Sequence, residues 1–147
     1  MPSRDSVMND SVDDEVQHPL KGRPKDARQH VSAGPYSPIL EVDARRIVVI
    51  SGQVAVDFEG QILGQTIEEQ TAATLRNSAA LLHTAGCSLA DVFKVNIYLS
   101  DLANWERFNS IYEEEMPEPL PVRTAVQAVL LPGYLVEIEM WAVKAGG

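Results

Sequence analysis

Residues 135–143, LVEIEMWAV, commit both faces of a single strand. Successive side chains of a strand point to opposite sides of a sheet. One parity (Val136, Ile138, Met140, Ala142) is wholly apolar and suits a core packed by helices. The other (Leu135, Glu137, Glu139, Trp141, Val143) sets two carboxylates among large apolar groups. That composition belongs neither to an ordinary core nor to an ordinary wet surface. It calls for a sheet with helices on one side and subunit contact on the other, with polar pockets along the seam.

The rest of the chain supplies the parts. IEEQTAATLRNSAALLHTAG opens behind Thr66, with Glu69 three residues on, which fits a capping box. Ile67, Thr71, Leu75, Ala79 and Leu82 form its apolar stripe, and Gly86 ends it. A second helix is expected over 104–116, through Trp105, Phe108, Ile111 and Tyr112, stopped by Pro117 and Pro119. Residues 46–56, RIVVISGQVAV, read as a well-buried strand, and DFEGQILG as the turn that closes a hairpin. Residues 92–100 alternate, with Phe93, Val95, Ile97 and Leu99 on the core side. Strands at roughly 122–130 and 135–143 follow. The order, strand, strand, helix, strand, helix, strand, strand, points to an α+β fold: a mixed sheet with both helices on one face.

At 147 residues this is one domain by length, with the 45% hydrophobic and 22% charged composition of a soluble globular protein. Residues 1–32 mix charges with Pro and Gly without apolar period and read as a flexible arm; residues 33–147 form the folded domain, beginning near the Gly34-Pro35 turn. The arm has no apolar signal core and is too rich in aspartate for a mitochondrial presequence, so the cytoplasm is the expected compartment. No apolar run is long enough for a membrane helix. Of the net charge of -9, residues 1–30 account for one unit, with five cations and six carboxylates. A folded part this acidic disfavours nucleic acid. Cys87, the one cysteine, reads as a small buried thiol, and His83 as a polar-face helix residue. With His18, His30 and His83 far apart, no metal site is expected.

The remaining feature is a lone cation. In PLPVRTAVQAVLL (119–131), Arg123 shares a parity with Ala125, Gln127 and Val129, taken as the mixed face, while Val122, Val126 and Ala128 are taken to face the core. A partly buried guanidinium stays charged and must meet an anion. Either Glu137 or Glu139 supplies it as a structural ion pair, or a ligand carboxylate does, gripped by the two-pronged side chain. The two glutamates can likewise be salt-bridge partners or a general acid/base.

Five stretches, in order, carry a resemblance. GPYS (34–37), SGQ (51–53), the helix ending Ala85-Gly86, VFKVNIYLSDLANWERFNSIY (92–112), and PVRTAV with VEIEM resemble the RidA/YjgF/YER057c/UK114 family of enamine/imine deaminases, from about Gly34 to Val143. The resemblance implies a chorismate-mutase-like homotrimer with active sites between subunits and no cofactor. It also implies hydrolysis of 2-aminoacrylate- or 2-iminobutanoate-like substrates to 2-keto acids and ammonia. By the same resemblance Arg123 binds the substrate carboxylate, and Glu137 positions or activates water. Tyr36, Ser51, Gly52 and Asn109 line the pocket, and Ala125 contributes only its backbone. Pro38 stands where many relatives have Gln, Ala125 where Ser, Thr or Cys is common, and the 131–135 turn is a residue short. A non-catalytic module for small carboxylates or keto acids, and a pathway-specific deaminase of an aminomuconate- or aminoacrylate-like intermediate, are the competing readings. The chaperone and nuclease roles ascribed to relatives find no support in so acidic a chain.

Overall fold

The computed structural model describes residues 16–29 and 34–146. Thr66 starts the first helix, α1 (Ile67–Thr84): its hydroxyl accepts the amide of Glu69, and the Glu69 carboxylate accepts the amide of Gln65. At the other end Gly86 takes φ +76°, a left-handed conformation natural to glycine, and the amides of Gly86 and Cys87 close on the carbonyls of His83 and Leu82. The second helix, α2 (Trp105–Glu115), follows a short 3₁₀ turn in which the Asp101 carboxylate accepts the amide of Ala103.

Among the described residues, six strands accompany the helices. β1 (Lys21–Gly22) and β2 (Glu41–Val42) form a small antiparallel ribbon. β3 (Arg46–Gln53), β4 (Val92–Leu99), β5 (Val122–Gln127) and β6 (Val136–Lys144) form the main sheet in the order β3-β6-β4-β5, with β4 and β5 parallel and the other pairs antiparallel. Ile67, Leu75 and Leu82 of α1 and Phe108, Tyr112 and Met116 of α2 share one core with Val95, Ile97, Leu99, Val136, Ile138, Met140 and Ala142. Both helices therefore cover the same face of a mixed sheet, as the order of elements implied.

Three strand assignments differ from expectation. β3 is only half buried: Val48 and Ile50 pack on the core, whereas Ile47 and Val49 are 53% and 59% exposed. The loop beyond it is closed by a single bridge between Val56 and Ile62, with Asp57 accepting the amides of Glu59 and Gln61. In β4 an irregularity between Val92 and Lys94 places Val92, not Phe93, in the core. One extra residue reverses the alternation, which a strict period of two cannot anticipate. In β5 the parity is the reverse of that expected. Arg123 and Ala125 lie beside Val95 and Ile97, on the helix-covered face, and Val122 and Val126 lie beside Lys94 and Tyr98 on the open one.

Residues 16–29 make contacts that a loosely attached arm would lack. His18 Nε2 lies 2.7 Å from Asp91 Oδ1, and the buried Lys21 donates its ammonium hydrogens to the carbonyls of Val92 and Pro119. Residues 1–15, 30–33 and 147, and with them His30, lie outside the described part. No helix among the described residues is long and apolar enough to cross a membrane.

Candidate active site

β5 runs along one edge of the sheet, so a long side chain on its helix face reaches the flank of α2. Trp105, Phe108, Asn109 and Tyr112 line that flank at three- and four-residue spacing. The Arg123 guanidinium carbon lies 5.4, 5.9 and 4.9 Å from the ring centres of Trp105, Phe108 and Tyr112, and 5.6 Å from that of Tyr36. Four ring faces partly offset the loss of water around the cation. They do not replace hydrogen bonds. Both terminal nitrogens, Nη1 and Nη2, are buried without a partner, as is the Tyr112 hydroxyl. Burial lowers the Arg123 pKa, opposed by Tyr112 and Tyr36, while burial drives the Tyr112 hydroxyl upward.

Gly34 closes over this group. A Cβ there would collide with Arg123 Nη2 and stand 3.1 Å from Asn109 Nδ2, so only glycine permits the approach. The segment is pinned by Ser37, whose amide donates to the Pro121 carbonyl at 3.1 Å and whose hydroxyl donates to that of Leu120. Outside Gly34 and Pro35 an open groove of about 580 Å³ continues along Trp105, Asn109 and Ser110. Ala125, two residues beyond Arg123, is half-buried against the core, so its side chain is packing material.

Ser51, Gly52 and Glu137 make a second group. β3 and β6 slip by one residue between Ile50 and Gln53, and this bulge brings Gly52 against Glu137. A Cβ on Gly52 would lie 3.0 Å from Glu137 Cδ and 3.2 Å from Oε1. Ser51 is exposed beside it. Glu139, by contrast, is engaged: its Oε1 accepts from Tyr98 Oη at 2.8 Å and Asn96 Nδ2 at 2.9 Å, which raises the Tyr98 pKa. Glu137 accepts no hydrogen bond from the described residues.

These two groups occupy opposite faces of one sheet. Arg123 pairs with Val95 on the helix side, and Glu137 pairs with Tyr98 on the open side. Of the two readings of Arg123, the structural ion pair with Glu137 or Glu139 is therefore absent, because the backbone of the sheet separates them. Of the residues that the resemblance assigns to one site, Tyr36, Asn109 and Arg123 lie together, whereas Ser51, Gly52 and Glu137 form the other group. Sequence reasoning did not single out Trp105, Phe108 and Tyr112 as the walls. Their spacing was visible, but it is also that of any helix packed on a core.

Elsewhere the chemistry is quiet. Cys87 is buried with its thiol pKa raised, first by that burial, and His83 is exposed on its helix. Among the described residues no three His, Cys, Asp or Glu side chains are grouped to hold a metal ion.

Residues 27–144 match the profile of the family described as Endoribonuclease L-PSP. A RutC family protein from Pyrococcus abyssi is 40% identical over 113 residues, covering 76% of this chain and 87% of that protein. The 2-iminobutanoate/2-iminopropanoate deaminase of Mus musculus is 38% identical over 113 residues, covering 76% and 82%. Protein mmf2 of Schizosaccharomyces pombe, named mitochondrial, is 39% identical, covering 76% and 89%. Among solved structures, a member of the YjgF/YER057c/UK114 family from Mycobacterium tuberculosis superposes with a TM-score of 0.60 at 31% identity, covering 74% and 86%.

Proposed function

Because the chain belongs to the RidA/YjgF/YER057c/UK114 family, known also as the endoribonuclease L-PSP family, we propose that it hydrolyses small 2-imines and 2-enamines to 2-keto acids and ammonia. Substrates of the 2-aminoacrylate and 2-iminobutanoate class carry the carboxylate that Arg123 lacks. The observation that carries this reading is the pair of buried, unpartnered guanidinium nitrogens in an aromatic box beside Gly34 and Asn109. A buried cation with unmet donors favours an anionic ligand able to accept both.

Arg123 and Glu137 face opposite ways, so the working site joins two copies: Arg123, Tyr36, Asn109 and the Ala125 backbone from one, and Ser51, Gly52 and Glu137 from its neighbour. A homotrimer repeats this junction three times. In the reaction an enamine first tautomerises to its imine. Glu137 then takes a proton from water as the oxygen bonds to C2 of the protonated imine, and the C=N electron pair moves to nitrogen to give a neutral carbinolamine. It returns that proton to the amine of the carbinolamine. Ammonia then leaves as the hydroxyl oxygen forms the C=O bond and releases its own proton. Imines are already electrophilic, so this chemistry is chiefly positioning and proton transfer and requires no cofactor.

The test generates 2-iminobutanoate with an amino-acid oxidase and follows suppression of its semicarbazide adduct. Arg123→Ala is expected to cost about 2 kcal/mol, roughly 30-fold in kcat/KM, mostly through KM. Glu137→Gln is expected to lower kcat about 100-fold while sparing binding. Full activity in either variant overturns the assignment. Saturable binding of 2-oxobutanoate without suppression of the adduct would instead favour a non-catalytic keto-acid module. Suppression confined to a larger or unsaturated imine would favour a dedicated pathway enzyme, a reading that Pro38 and Ala125 support.

A further inference from the structure

Lys21 is a buried cation that the proposed chemistry does not use. It lies before residue 27, where the family match begins. Its side chain is 4% exposed, and its ammonium donates to two carbonyls: Val92, the first residue of β4, and Pro119, at 2.8 Å, in the turn leading to β5. Burial holds its pKa near 8 against the pull of Asp91. The approach is braced by the His18–Asp91 contact and by the pairing of Lys21 with Val42.

What Lys21 grips is the entry to the Arg123 strand. Residues 117–121 read Pro-Glu-Pro-Leu-Pro, so three of the five have no backbone N–H. Such a segment is held largely through its carbonyl oxygens. Three consecutive ones are taken: Pro119 by Lys21 Nζ, Leu120 by Ser37 Oγ, and Pro121 by the Ser37 amide. Arg123 follows two residues later on an edge strand with a ladder on one side only. Three of its four rings, Trp105, Phe108 and Tyr112, come from a different element, α2, so a small displacement of the β5 entry moves the guanidinium relative to them.

We infer that Lys21 is a positioning residue for the anion site: by tying the entry of β5 to the start of β4, it sets where Arg123 presents its guanidinium to a substrate carboxylate. This rests on the reading that Arg123 binds that carboxylate. The test uses the full chain with Lys21→Met, which keeps the length of the side chain, and Lys21→Arg, which keeps a cationic donor. In Lys21→Met, KM for 2-iminobutanoate is expected to rise roughly tenfold with kcat within about twofold, the pattern of a misplaced anchor. Lys21→Arg should recover most of the loss. A folded Lys21→Met protein with wild-type KM overturns the inference, as does one in which kcat falls while KM stays constant. If Lys21→Met does not fold, the wild-type protein decides. Saturating 2-oxobutanoate should slow solvent exchange of the Lys21 ammonium protons, and exchange indifferent to the ligand overturns the proposal. A wild-type protein without deaminase activity would sink the functional reading instead, so the two failures remain distinct.

Discussion

The Arg123 guanidinium gives up water for four aromatic rings and leaves two nitrogens without hydrogen bonds, an arrangement that works against the stability of the empty fold. A flexible apolar side chain of similar reach would not leave those donors unmet. Arg123→Met is therefore expected to stabilise the protein by about 1–2 kcal/mol in urea denaturation while lowering kcat/KM roughly 30-fold, mostly through KM. A destabilised, inactive variant would mean that the rings hold the cation better than water does. Lys21 shifts stability with pH in the same sense as a carboxylate in an ion pair, because the folded pKa of each lies below its ordinary value. Its pKa is about 8 in the fold against 10.5 for the ordinary group, so between those values the unfolded chain binds the extra proton. Its contribution to stability rises as pH climbs from about 8 toward 10.5 and is lost again as pH falls back through that range. The difference in Tm between wild type and Lys21→Met should therefore shift in favour of wild type from pH 8 to pH 10. A constant difference would sink the claim.

Among the elements, the helices were legible and the strand faces only partly so. A helix end is a local matter: the Thr66 cap, the Glu69 carboxylate and the left-handed Gly86 all act within a few residues of sequence. A strand face depends on register with a partner far away. The irregularity at Val92–Lys94 turned Phe93 out of the core, and the parallel pairing of β5 turned Arg123 toward the helices, against its hydrophobicity pattern. β6 was read correctly on its core parity because Val136, Ile138, Met140 and Ala142 have no polar competitor. The bulge at Ser51–Gly52 is the element with the clearest chemical consequence. Gly52→Ala should push the Glu137 carboxylate aside, since the added methyl would lie 3.0 Å from its Cδ. The expected result is a folded protein whose kcat falls about tenfold or more, with binding of 2-oxobutanoate retained. Wild-type turnover in that variant would remove the bulge from the mechanism.

At the scale of the whole molecule, the open face carries Ile47, Val49 and Val126 exposed, with Lys94 stacked 5.1 Å from the Trp141 ring. Apolar groups beside an unengaged Glu137 suit contact with another copy, and the proposed composite site would give such a contact a catalytic purpose. Mixing supplies the test. Arg123→Ala and Glu137→Gln proteins, each retaining only a few per cent of wild-type activity at low substrate concentration, are unfolded together and refolded. If each site takes its two residues from different subunits, random assembly should restore about a quarter of wild-type activity, because one junction in four joins an intact Arg123 to an intact Glu137. No recovery in verified mixed oligomers would show that each subunit completes its own site.

Sequence alone determined what is encoded locally: two helices with their caps, the apolar stripe of β6, and the lone arginine in an apolar run. Its family-like motifs also named Tyr36, Ser51, Gly52, Asn109, Arg123 and Glu137 before any contact was known. Tertiary structure decided which of these meet. Facing across a sheet is set by register and bulges between residues far apart in sequence, 28 positions in β4 with β5 (Lys94 with Val122) and 85 to 98 in β3 with β6 (Gln53 with Ile138, Arg46 with Lys144), and one slipped residue exchanges the two faces. That is why Arg123 and Glu137, close in the motif order, stand on opposite sides of the same sheet.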